Sequence, residues 1–92
     1  MIENELSEAF QALDGWKLVE SNGVTKLKKA YPFKDFAGAL TFSNQVGALA
    51  EMEDHHPELL TEWGKVTVTW WTHTKNGLSE NDFRMAAKVD LL

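Results

Sequence analysis

Glu51, His55, His56, Pro57, Trp63, His73 and Asp82 bring together the side chains of this chain that are best suited to moving protons. All three of its histidines fall between positions 55 and 73. An imidazole, with an unperturbed pKa of roughly 6.5, both gives and takes a proton near neutrality, and a carboxylate beside it fixes its tautomer. Glu51 and His55 are four apart, so on the last turn of a helix they share one face within hydrogen-bonding reach. His56 follows at once, and Pro57 ends the helix, because the residue before a proline avoids the α region.

Other readings compete for the same residues. A helix C-terminus favours an imidazolium through its partial negative charge, with no function attached. Asp82 also reads as a helix-capping acid and Trp63 as a core aromatic. Imidazole and carboxylate ligate zinc and other transition metals, but there is no His-Glu-x-x-His, and the adjacent His55 and His56 do not readily converge on one ion. The chain has no cysteine, which removes disulfides, thiolate ligands and cysteine nucleophiles together. It has neither a Gly-x-Ser-x-Gly elbow nor a glycine-rich phosphate loop. General acid–base chemistry without metal or cofactor is the expectation.

Those residues need elements to hold them. Leu6, Ala9, Phe10 and Leu13 follow the spacing of an amphipathic helix that Gly15 can end. Trp16 to Glu20 and Val24 to Tyr31 flank Asn22-Gly23, a dipeptide suited to a type I′ hairpin turn. Lys34 to Asp54 reads as one long helix with two apolar stripes, Phe36, Ala39, Leu40, Val46 and Ala50 on one and Phe42, Leu49 and Met52 on the other. Two stripes cover more circumference than a single core needs, which predicts self-association through this helix. Leu59 to Trp63 and Val66 to His73 predict a second hairpin, with Gly64 at the first central position of a type II′ turn. His73 then stands at a strand end on its polar face. Ser79 reads as an N-cap with Asp82 three residues on, and Leu78 and Phe83 as a hydrophobic staple, opening a last helix to about Asp90. The order helix, hairpin, helix, hairpin, helix implies an antiparallel sheet covered by helices, the α+β class.

A chain of 92 residues predicts a single domain spanning 1–92. Nine Lys and Arg against fourteen Asp and Glu give a net charge of −5, so no electrostatic pull toward nucleic acid or an anionic membrane is expected. Lys26, Lys28 and Lys29, the one basic cluster, read as a solvated strand face. The longest charge-free run, Phe36 to Ala50, is too short to span a membrane. The acidic start, Met1-Ile2-Glu3-Asn4-Glu5, is unlike a signal or transit peptide. A soluble, cytoplasmic protein is predicted.

The spacing Glu51-x3-His55-His56-Pro57-x5-Trp63-x9-His73-x8-Asp82 resembles the signature of the pterin-4a-carbinolamine dehydratases. Gly15-Trp16, Phe33-Lys34-Asp35-Phe36 and Gly77-Leu78-Ser79 agree with the family as well, so the resemblance covers nearly the whole chain. It implies a four-stranded antiparallel sheet with three helices on one side, assembled as a homodimer or homotetramer partly through the long helix. The implied reaction is dehydration of 4a-hydroxytetrahydropterin to quinonoid dihydropterin, which recycles the cofactor of aromatic amino acid hydroxylases; the resemblance also points to such a hydroxylase as a protein partner. By similarity, His55, His56 and His73 do the acid–base work, and Glu51 and Asp82 orient and charge-tune them. Pterin would bind along His55-His56-Pro57 and along the strand end, Thr72, His73, Thr74 and Lys75. Family members also act as dimerisation cofactors of a transcription activator, which implies a protein-binding role as the alternative. Two places depart from the family: Leu59, where many relatives carry an aromatic residue, and Trp70-Trp71, bulkier than expected just before the site.

Overall fold

A computed structural model of the chain describes residues 8–92. Helix α1 is described over 8–11, and Leu6, assigned above to its apolar face, lies outside the described residues. Ala9, Phe10 and Leu13 pack on the core. The first hairpin joins β1 (Lys17–Ser21) to β2 (Val24–Pro32). Asn22 and Gly23 have φ of 53° and 77°, the two positive angles that a type I′ turn demands.

Helix α2 runs Phe36–Glu53, with Asp35 as N-cap accepting from the Gly38 N–H at 2.8 Å. Lys34 and Asp54, included in the expected span, fall outside it. The second hairpin joins β3 (Glu58–Glu62) to β4 (Lys65–Trp70). Glu62 pairs with Lys65, which leaves Trp63-Gly64 as the turn and puts Gly64 at its second central position. Neither residue has a positive φ, so the expected type II′ turn does not form. β4 also ends at Trp70 rather than His73, and His73 instead opens a 3-10 turn, His73–Lys75, ahead of α3 (Glu80–Asp90).

All pairings are antiparallel, in the order β1-β2-β4-β3. The helices lie on the side of the sheet where Leu27, Val66, Val68 and Trp70 are fully buried against Val46, Ala50, Phe83 and Val89. Burying a valine this completely stabilises by about 1.5–3 kcal/mol. The buried face of α2 is Ala39, Phe42, Ser43, Val46 and Ala50, a single stripe at i, i+3, i+4, i+7, i+11. It draws on both predicted stripes and leaves Phe36, Leu40 and Met52 exposed. Thr67 and Thr69, on the opposite face of β4, are buried too, since β4 is central and flanked on both sides.

Lys29 corrects the reading of the basic cluster. Residues of β2 alternate between faces, so Leu27, Lys29 and Tyr31 all look toward the helices. Lys29 Nζ meets Asp90 at 2.9 Å and the Asp14 carbonyl at 2.8 Å. Trp16 Nε1, at 3.0 Å, and the Tyr31 hydroxyl also donate to Asp90, which ties the last turn of α3 to the sheet. Burial, followed by the hydrogen bond and charge of Asp90, pushes the Tyr31 phenol far above its ordinary value.

Candidate active site

The site begins where α2 stops. Asp54 takes a left-handed conformation, φ 51° and ψ 41°, its N–H returns to Glu51 O at 3.4 Å, and the His55 N–H reaches Ala50 O at 3.2 Å. This pair of bonds is the Schellman ending, with aspartate where glycine is commoner. The reversal turns His55 off the helix before it can meet Glu51. His56 reaches Glu51 instead, through Nε2, while His55 Nε2 lies 2.6 Å from Asp82 Oδ1. The expected Glu51–His55 contact is thus replaced by two different pairs.

Asp82 is fully buried, a position that a carboxylate tolerates only with strong partners. It has three: His55, Thr72 Oγ1 at 2.8 Å and the Ser79 N–H at 2.9 Å. The Ser79 bond is part of the capping box read from Ser79 and Asp82. An ionised carboxylate only accepts, so the proton between Asp82 and a neutral His55 sits on Nε2 and leaves Nδ1 as the ring's acceptor. The Thr72 hydroxyl also bonds the Ser79 hydroxyl at 2.6 Å.

The third imidazole arrives from the 3-10 turn. Thr72 and Gly77 bridge across it, with the Thr72 N–H donating to Gly77 O at 2.7 Å. Asn76 closes the turn at φ 48°. His73 is exposed, and its ring makes no hydrogen bond to another described residue. It stacks on Trp71, centroids 4.6 Å apart and planes 22° apart, while His55 stacks on Trp70 at 5.5 Å and 8°. Lys26 Nζ stands 3.9 Å from the centre of the Trp71 ring.

Asp54, His55, His56, Thr72, His73, Thr74 and Asn81 line one open cavity of about 460 Å³. The fold therefore brings His55, His56, His73, Thr72 and Thr74 to one place, with Asp82 and Glu51 holding two of the imidazoles. Pro57 and Lys75 are not among its lining residues. Trp63 is 71% exposed at the hairpin turn, about 20 Å from the pocket end of β4. Asp54 and Asn81 escaped the sequence reading. Their signal was adjacency: one precedes His55 and the other precedes Asp82. Among the described residues no three His, Asp or Glu side chains converge as a metal-ligand set, and no helix is long and apolar enough to cross a membrane.

An antiparallel α+β domain that directs three imidazoles into one cleft, two of them held by carboxylates, has a counterpart among known proteins. The chain matches the profile described as Pterin 4 alpha carbinolamine dehydratase over residues 1–92. A protein of Chlorobaculum tepidum, provisionally named pterin-4-alpha-carbinolamine dehydratase, is 52% identical over 92 residues, all of this chain and 83% of that one. A Vibrio vulnificus protein of the same provisional name is 57% identical over 83 residues, 90% of this chain and 76% of its own. The crystal structure of a transcriptional coactivator/pterin dehydratase from Brucella melitensis superposes with a TM-score of 0.86 at 40% identity, covering 99% of this chain and 95% of that one. A pterin dehydratase-like RuBisCO assembly factor of the alpha-carboxysome shares the fold, with a TM-score of 0.69 at 24% identity, covering 84% of this chain and 87% of that one. The chain belongs to the pterin 4 alpha carbinolamine dehydratase family, whose enzymes are hydro-lyases.

Proposed function

We propose that the pocket dehydrates a 4a-hydroxytetrahydropterin to quinonoid dihydropterin and water, and that this returns the pterin to the redox cycle of an aromatic amino acid hydroxylase in the cytoplasm. The observation that carries this reading is the meeting of His55, His56 and His73 in one cleft of ligand size. Breaking the C4a–O bond requires a proton on the departing hydroxyl, which leaves as water. Forming the quinonoid ring requires loss of a proton from the neighbouring ring nitrogen. One protonated and one neutral imidazole divide these two transfers, and the enzyme ends with the same number of protons it began with. Asp82 and Glu51 orient His55 and His56. Thr74 offers its hydroxyl and backbone groups to the amide edge of the pterin, Thr72 lines the cleft beside it, and Lys75 and Pro57 act from outside the lining. The test is dehydration of freshly generated 4a-hydroxytetrahydropterin by the parent and by His73→Ala. The variant should lose a factor of about 100 in rate; a variant as fast as the parent would sink the reading.

The assembly is part of the proposal. Phe36, Leu40 and Met52 of α2 are 47%, 44% and 79% exposed, which supports a homodimer or homotetramer built on this helix. Sedimentation of Leu40→Glu should show a smaller species than the parent. The second reading, a protein-binding regulator, is favoured by the coactivator named in the description of the Brucella structure. Partner binding undiminished in a His73→Ala protein, with no dehydratase activity in the parent, would select it.

A further inference from the structure

Trp70 is the last residue of β4 and Trp71 follows it directly, and each stacks on one imidazole of the pocket. The two adjacent indoles thus reach two histidines that approach the end of β4 from different elements. His55 comes from the end of α2 and His73 from the 3-10 turn. Among the described residues the buried Trp70 indole N–H has no hydrogen-bond partner, and its ring face lies against His55.

The two stacked histidines differ in what else holds them. His55 has the buried Asp82, and His56 has Glu51. His73 sits exposed on a short turn, and its ring has no hydrogen bond within the described residues. Proton transfer requires the imidazole nitrogen to be aimed before substrate arrives, and an unrestrained ring spreads over several rotamers. The restraint present at His73 is the indole of Trp71. That indole is half-buried and is itself engaged by Lys26, whose ammonium lies 3.9 Å from its ring centre, a cation–π contact.

We propose that Trp71 is the positioning residue for His73: its indole face, held by Lys26, supplies the orientation that carboxylates supply to His55 and His56. The kinetic part of this proposal rests on the pocket being the dehydratase site; the structural part does not.

The experiment is proton NMR of the full chain, with labelled histidine, alongside the dehydratase assay. In the parent, the His73 ring protons should be displaced upfield by the indole ring current. In Trp71→Leu that displacement should vanish, and kcat should fall about tenfold to a hundredfold with KM changed by less than about twofold. Trp71→Phe, which keeps an aromatic face, should recover most of both. Lys26→Met leaves the indole in place and should shrink the displacement, a second route should the leucine variant not fold. Unshifted His73 protons in the parent, a leucine variant with parental kcat, or a rise in KM at unchanged kcat would each overturn the proposal, the last by making Trp71 a substrate contact. An inactive parent with displaced His73 protons would instead refute the dehydratase reading and leave the stack standing.

Discussion

The two ends of α3 carry one device put to different uses. At its start, Asp82 collects His55, Thr72 and the Ser79 amide. At its last residue, Asp90 collects Trp16, Lys29 and Tyr31. Each carboxylate joins α3 to residues from distant parts of the chain, and each accepts three hydrogen bonds. The difference lies in the partners. Indole, ammonium and phenol commit their donors to Asp90 and have no role in proton exchange near neutrality. Imidazole commits one nitrogen to Asp82 and keeps another. A carboxylate cluster thus becomes a candidate catalytic centre through the one partner that has a second, unused proton site; burial differs as well, Asp82 being fully buried and Asp90 a quarter exposed at its side chain.

Removing Asp82 should break the comparison most severely. Asp82→Ala leaves His55, Thr72 and a backbone N–H without their buried partner. It should lose about 3 kcal/mol of stability in urea unfolding and a factor of about 100 in dehydration rate. Asp90→Ala should lose about 2 kcal/mol by the same measurement while its rate at permissive temperature stays within about threefold of the parent. Equal losses of rate in the two variants would erase the distinction.

The pH dependence of unfolding sharpens the same contrast at the Asp90 end. Burial would raise the Asp90 carboxyl, but hydrogen bonds from Tyr31, Lys29 and Trp16 outweigh it and hold the group below its ordinary 3.8. A depressed folded pKa means that the stabilisation is present above that ordinary value and is lost as pH falls through the lower folded one. Tyr31 is shifted up, so its contribution is complete below its ordinary 10.0 and declines as pH rises beyond it. Melting temperatures of the parent and Asp90→Asn should therefore differ by a constant amount between these limits and converge outside them. The smallest effect belongs to Glu51→Gln. Its pair with His56 is solvent-exposed, so stability should change by less than about 0.5 kcal/mol and rate by only a few-fold, as steady-state assays would show.

Local rules carried the reading of the sequence a long way. Asn22-Gly23, Ser79 with Asp82, and the alternation of Val66, Val68 and Trp70 each state a backbone requirement within a few residues, and each is met. The site was legible as a set of side chains and illegible as a set of pairs. Helical spacing put Glu51 with His55, yet a single left-handed residue, Asp54, rotates the chain and hands Glu51 to His56. His55 meets Asp82 across 27 positions, a distance at which spacing carries no information on contact. Lys29 was misread for a related reason: three lysines in four residues look like a solvated face until the strand's alternation, and a carboxylate 61 positions away, turn one of them inward. Trp71 registered only as excess bulk, because a stacking partner on an irregular turn has no sequence period.

Asp82 is both the third residue of a helix and the tether of an imidazole, so the first turn of α3 and the aim of His55 share one lifetime. When that turn opens, Oδ2 releases the Ser79 amide and Thr72 in the same event that loosens the ring. Local openings of this kind recur between microseconds and seconds, and the pocket is assembled only for the fraction of time that the turn is closed. Substitutions at Glu80, which is not among the residues lining the cleft, that lengthen or shorten the closed interval would then change how long the cleft stays formed without altering its lining.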